Sequence, residues 1–164
     1  MESVYESSRC AERIGEVFPQ YAGYYLGNAN AYNEKLVELD KDFFAVIEKN
    51  TQDTIFVADR FPFLYLFHRL GLKHMAAIPN CTTDTDVSAA DRVRFENFIS
   101  TNELTKAVVT ERPVTGNLAR ELVGADNVVT LHSMQRVTAG EIQSGATFYS
   151  LMRQNLERLE VALS

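Results

Sequence analysis

Only two cysteines, Cys10 and Cys81, occur in the 164 residues. Two cannot build a disulfide framework, and without a Cys-x-x-Cys or Cys-x-x-His spacing neither belongs to a zinc knuckle. They read as free thiols in a reducing compartment, or as a single Cys10–Cys81 bridge in an extracytoplasmic one. Positive charge is also scarce. Sixteen Lys and Arg face 22 Asp and Glu, giving a net charge of −6 and a pI near 5.1. No basic run and no aromatic-interleaved Lys/Arg stretch offsets this, which argues against a nucleic-acid surface. No apolar run reaches the roughly 18 residues of a membrane-spanning helix. The amino terminus, Met1-Glu-Ser-Val-Tyr-Glu6, is acidic and unlike a signal peptide. Taken literally, such a chain stays where it is made; the alternative is a piece of a longer exported protein. Enzyme signatures are missing too: no Gly-x-Ser-x-Gly elbow, no phosphate loop and no Gly-x-Gly-x-x-Gly.

What is present is an ordinary globular composition, 46% hydrophobic and 23% charged. The length suits one domain, or one domain with an appendage, able to bury a core without staples. Residues 6–18 pattern as a short helix that Pro19 interrupts. Gln20 to Gly27, with three tyrosines and two glycines, reads as a turn-rich connector, its tyrosines packing for the helix that follows. From Asn28 that long helix carries Leu36, Leu39, Phe43 and Ile47 as one amphipathic stripe, with Val37 and Phe44 alongside. Four short apolar strands follow, near 54–58, 74–78, 106–110 and 127–131, each succeeded by a helical pattern. Pro62 and Gly71 bracket the first of those helices in the favoured order. Ser88 with Asp91 resembles a capping box. Thr115 is the expected cap of a helix ending at Gly124, residues 133–145 read as a polar loop, and the last helix covers about 146–163. That helix carries Phe148, Met152, Leu156, Leu159 and Leu163 on one face. The pattern predicts an α/β fold with a four-stranded parallel sheet sandwiched by helices and preceded by a long amphipathic helix. It divides into a helical segment, 1–53, and an α/β lobe, 54–164.

Each strand runs into a polar or reactive residue: Asp59, Cys81 (through Pro79-Asn80), Glu111 and His132. Ligands in parallel sheets sit at these carboxyl ends. Carboxylate, imidazole and thiol gathered on one edge are transition-metal chemistry. Every residue here also has a plainer use. Asp59 suits a metal ligand or a cap for the next helix. Glu111 suits a site carboxylate or an ion pair with Arg112 or Arg60. His132 suits a ligand or a structural histidine. His68 and His74 read as structural or exposed, and Cys81 as a bridge or buried thiol before a zinc thiolate. Arg60 and Arg136 read as surface ion-pairers that could instead bind an anion at the sheet edge. Asp59, Glu111 and His132 could form an acid–base set, but no evident nucleophile or oxyanion hole accompanies them, so an enzyme is not expected.

Several stretches, in order, resemble the zinc- and manganese-specific solute-binding proteins of ABC importers. Tyr24-Tyr25-Leu-Gly-Asn28-Ala-Asn-Ala-Tyr32 with Leu36-Val-Glu-Leu39-Asp40 resembles the start of that family's long backbone helix. Asp59-Arg-Phe-Pro-Phe63-Leu-Tyr65 with Gly71-Leu72 resembles the motif after the first strand of its carboxyl lobe. Thr147-Phe-Tyr149-Ser-Leu-Met152-Arg-Gln-Asn155-Leu-Glu-Arg-Leu159 resembles its closing helix. The resemblance implies two α/β lobes joined by a rigid helix, with a divalent metal held between them and handed to a membrane permease. This chain has the helix and one lobe, so it resembles a carboxyl-terminal half, excised or truncated. Its implied ligand is Zn²⁺, or Mn²⁺, as cargo and not as a catalytic cofactor. Its implied partners are an ABC importer permease and a missing amino-terminal lobe. Its implied place is extracytoplasmic, in the periplasm or at the cell surface with a lipid anchor on the full-length protein. The implied metal residues are Asp59, Glu111 and His132. Two departures matter. Arg60 stands where the family usually has His or Glu, and Arg offers no lone pair to a cation. His132 stands where Asp is usual, a swap that keeps a zinc ligand and disfavours manganese.

Overall fold

The short apolar runs become strands because they are buried on both faces. In the computed structural model, which describes residues 2–78 and 87–164, the strands are β1 (Thr54–Arg60), β2 (Lys73–Ile78), β3 (Ala107–Thr110) and β4 (Val128–Leu131). The helices are α1 (Glu2–Val17), α2 (Ala22–Lys49), α3 (Leu64–Leu70), α4 (Ala89–Thr101), α5 (Leu118–Val123), α6 (Ala139–Gln143) and α7 (Phe148–Leu163). All strand pairings are parallel, in the order β2-β1-β3-β4. The chain therefore leaves β1 toward one side of the sheet and continues from β3 toward the other. The β1/β3 junction is the switch point where parallel sheets open a crevice.

The molecule divides into two compact units, Met1–Ala45 and Val46–Ser164, with the boundary inside α2. In the first unit the polar groups of Asn33 tie α2 to α1: Ser7 Oγ donates to Asn33 Oδ1, and Asn33 Nδ2 donates to Ser8 Oγ at 2.8 Å. Gly15 allows close approach there, since a Cβ would meet that of Ala22 at 3.1 Å. The segment 20–27 is not a connector. After a 3-10 turn at Pro19–Tyr21 the chain is already helical from Ala22, through both Gly23 and Gly27. Two helical glycines cost about 1 kcal/mol each, which a 28-residue helix absorbs. Tyr21 and Tyr25 pack edge-on, as do Tyr24 and Tyr25, and Tyr21 and Tyr24 stay exposed. The apolar stripe of α2 is buried at Leu36, Leu39, Phe43 and Val46, so its last position is Val46 and not Ile47.

In the second unit alternate strand residues face opposite layers. Phe56 and Ala58 with Ala107 and Val109 form a cluster with Phe95 of α4 and Leu118 and Ala119 of α5. The Phe56 and Phe95 rings lie 5.2 Å apart. Residues of the other parity, Ile55, Val57 and Val108, are equally buried, so both faces of the sheet are covered. Helix ends follow local chemistry. Gly71 closes α3 in the left-handed conformation at φ 72°, and Ser88 caps α4 by accepting from the Asp91 amide. Thr115 is not a cap: α5 starts after Asn117, and Thr115 Oγ1 donates to the Ala58 carbonyl of β1. Residues 133–145 are not all loop. Thr138 and Glu141 close a reciprocal capping box that starts α6. The buried face of α7 is Leu151, Asn155, Leu156, Leu159 and Leu163, while Phe148 is exposed. Cys10 is exposed on α1; Cys81 lies outside the described residues, and with it any bridge.

Asn155 joins α7 to the end of β4. It is 1% exposed; its Oδ1 accepts from the His132 amide at 2.7 Å and its Nδ2 donates to the His132 carbonyl at 2.9 Å. Removing the side chain leaves two buried backbone groups unpaired, each costing about 1–3 kcal/mol. Asn155→Ala is therefore expected to lower the unfolding free energy by at least about 2 kcal/mol in urea titration, whereas Ala in place of the neighbouring exposed Gln154 should change it by less than about 0.5 kcal/mol.

Candidate metal centre and sheet-edge cleft

Three strands deliver the residues of interest to one edge of the sheet. Asp59, the penultimate residue of β1, follows a run in which every side chain is buried. β1 pairs irregularly with β2 between Val57 and Arg60, a bulge beside Asp59. The carboxylate is 1% exposed and its oxygens are committed. Oδ2 accepts from the Thr110 amide at 3.1 Å and from Thr110 Oγ1; Oδ1 accepts from the Val114 amide at 3.0 Å. Asp59 thus fastens β1 to the end of β3 and to the turn beyond it. It does not cap α3, whose first turn receives no side-chain hydrogen bond from its N-cap, Phe63.

Glu111 follows β3 and reaches across to the residue after His132. Its Oε2 accepts from the Ser133 amide and its Oε1 from Ser133 Oγ, both at 2.7 Å. Burial works against its ionisation, but the hydrogen bonds from Ser133 and the nearby His132 outweigh it and hold the carboxyl below its usual range. Glu111 forms no ion pair with Arg112 among the described residues.

His132 follows β4 and is 4% exposed. Its Nδ1 accepts from the Met134 amide at 3.1 Å, so the ring proton sits on Nε2. Met134 makes this contact from a left-handed backbone conformation, φ 61°, which is uncommon for a residue with a side chain. Nε2 is buried and forms no hydrogen bond. It lies 3.4 Å from Glu141 Oε1. The other oxygen of Glu141, Oε2, accepts from the amide and hydroxyl of Thr138, each at 2.7 Å. These capping bonds, with contributions from His132 and Arg112, keep the Glu141 carboxyl below its ordinary range. Glu141 is not among the candidates at the strand ends, although Thr138-x-x-Glu141 is a legible capping-box signature.

Asp59 and Glu111 border a cleft of about 260 Å³ together with Arg60, Arg112, Ser133 and Arg136. His132 is turned instead toward Glu141. Among the described residues, no three His, Cys, Asp or Glu side chains are grouped to hold a metal ion. His68 and His74 lie away from this edge, His68 in the last turn of α3 and His74 stacked on Phe61 with ring centroids 4.0 Å apart.

Asp59 already has three donors within the protein, so its removal should be felt without any metal. Asp59→Ala is expected to destabilise metal-free protein by about 3 kcal/mol in chemical denaturation, because it leaves buried donors of Thr110 and Val114 unpaired. Equal stability of the variant and the parent would contradict this assignment.

The sequence and the fold are similar to those of known proteins. The sequence matches the family described as "ZnuA: Zinc-uptake complex component A periplasmic" over residues 7–162. It is 28% identical over 152 residues to the zinc-binding protein AdcA of Streptococcus pyogenes serotype M1, covering 92% of this chain and 29% of AdcA. It is 26% identical over 148 residues to the high-affinity zinc uptake system protein ZnuA of Bacillus subtilis, covering 88% of this chain and 45% of that protein. The chain thus spans less than half the length of these curated relatives. The fold superposes on the Zn(II)-bound AdcAII E280Q variant of Streptococcus pneumoniae with a TM-score of 0.76 at 23% identity, over 98% of this chain and 57% of the other. It superposes on the metal-dependent lipoprotein YcdH of Bacillus subtilis with a TM-score of 0.75 at 23% identity, over 93% and 57% of the two chains. From its match along almost its whole length, this chain belongs to the family of zinc-uptake complex component A proteins.

Proposed function

We propose that this chain is the carboxyl-terminal lobe, with its linking helix, of an extracytoplasmic receptor that captures a divalent metal ion for an ABC importer. Zinc is the preferred cargo over manganese. The α/β unit would be the lobe proper, the helical unit the part that joins it to an amino-terminal lobe. The observation that carries the reading is the family match from residue 7 to 162 by a chain that spans only part of its relatives. Capture rather than chemistry is the expected activity.

The donor chemistry supports zinc. His132 Nε2 is a buried nitrogen without a partner, facing a carboxylate oxygen at 3.4 Å. Two atoms bound to one tetrahedral zinc at about 2.0–2.1 Å are about 3.3 Å apart, so this pair has the spacing of two zinc ligands. Zinc at Nε2 would require the ring proton to move to Nδ1, which releases the Met134 amide; ion capture would therefore rearrange the turn at Met134 with no net proton release from this ring. Glu111 assists by fixing Ser133, the neighbour of His132, through both carboxylate oxygens. Asp59 belongs to the site as its frame: it holds the Thr110–Val114 segment that carries Glu111. Remaining ligands would come from the amino-terminal lobe, so the chain alone should bind weakly.

Zinc at about ten times its dissociation constant should raise the melting temperature by roughly 3–6 °C, the shift expected for about 1.4 kcal/mol in a protein of this size. His132→Ala should abolish the zinc-dependent shift whatever its own stability. Differential scanning fluorimetry of zinc-titrated parent and variant measures this. No zinc-dependent shift in the parent, or an undiminished one in the variant, would overturn the reading.

A further inference from the structure

The cleft at the β1/β3 switch point has a chemistry of its own. Arginines line it from three separate segments: Arg60 at the end of β1, Arg112 in the turn after β3 and Arg136 in the turn after β4. This convergence occurs in a chain of net charge −6. The two carboxylates that also line the cleft already accept hydrogen bonds from the protein. Asp59 is 1% exposed and spends its oxygens on Thr110 and Val114, and Glu111 spends one hydrogen bond per oxygen on Ser133. Arg112 and Arg136 are exposed and form no ion pair among the described residues, although Glu141 attracts Arg112 at longer range. An anion entering this cleft would meet the planar N–H forks of Arg112 and Arg136, which match carboxylate and phosphate oxygens.

Size narrows the ligand. About 260 Å³ falls below the roughly 300–1,000 Å³ of sites for drug-sized molecules. It suits a compact ion. The position is also the one where parallel sheets of this winding bind ligands, outside the carboxyl ends of the strands at the point where the order reverses.

We propose that this cleft is a binding site for a small multivalent oxyanion, a phosphate or a polycarboxylate, held by Arg112 and Arg136. The site does not use His132 or Glu141, and the inference does not depend on zinc capture.

The test uses the full chain freed of metal on a chelating resin. Sodium phosphate and sodium citrate are titrated separately by calorimetry and thermal melting, each against sodium chloride at equal ionic strength. Saturable binding and a raised melting temperature are expected for at least one of the two. Phosphate alone assigns the site to phosphoryl groups, citrate alone to carboxylates. Arg112→Gln and Arg136→Gln should each weaken that binding at least about tenfold, as expected for loss of a charge-assisted hydrogen bond. Both side chains are exposed, so the melting temperature without anion should stay where it is. Stabilisation no greater than that from chloride would overturn the proposal, and so would unchanged binding in the double variant. Either result leaves the zinc reading standing, since no zinc is present.

Discussion

A single buried carboxylate organises the carboxyl edge of this sheet. Asp59 ends a strand whose side chains are otherwise apolar and inaccessible, and it is itself 1% exposed. Burying a charge is costly unless donors surround it, and here three do: the Thr110 amide, the Thr110 hydroxyl and the Val114 amide. Those donors belong to the end of β3 and the following turn. Asp59 therefore decides where Glu111 begins and how the Arg112 side of the cleft is presented. Glu111 passes the constraint on to Ser133, and Asn155 fixes the intervening His132 backbone from α7. The edge is a chain of satisfied polar contacts crossing β1, β3, β4 and α7, laid over an apolar sheet.

Two groups stand outside that chain of contacts. His132 Nε2 is buried without a hydrogen bond, close to the one oxygen of Glu141 that its capping box leaves over. Arg112 and Arg136 border an open cleft and form no ion pair among the described residues. The first is chemistry for a soft-to-borderline cation, the second for an oxyanion. The two proposed binding capacities rest on these separate groups, and membership of the zinc-uptake family bears on the first.

Much of the fold was legible because its signals are local and strong. Parallel strands buried on both faces read as short apolar runs, and Gly71, Ser88 and Gly124 mark helix ends through conformations or caps that few residues provide. The misread segments are those where tertiary context overrules local preference. Gly23 and Gly27 suggested a turn, yet lie within a long helix. Thr115 has the chemistry of a cap but spends its hydroxyl on the Ala58 carbonyl across the sheet. The strand-end residues Asp59, Glu111 and His132 were visible as candidates, since the βα alternation puts them on one edge. Their hydrogen-bond partners were not, because Asp59 meets Thr110 and Val114 more than fifty positions away, separations recorded as 51 and 55 residues. Glu141 could have been found from Thr138-x-x-Glu141, but the direction of its spare oxygen could not.

On the proposed function, the His132 imidazole binds the captured ion. X-ray absorption at the zinc edge of the zinc-loaded chain reads its neighbours. The expected result is nitrogen and oxygen neighbours at about 2.0–2.1 Å with the outer-shell scattering of a histidine ring, lost in His132→Ala. Zinc surrounded by oxygen alone, or histidine scattering that survives the substitution, would contradict it.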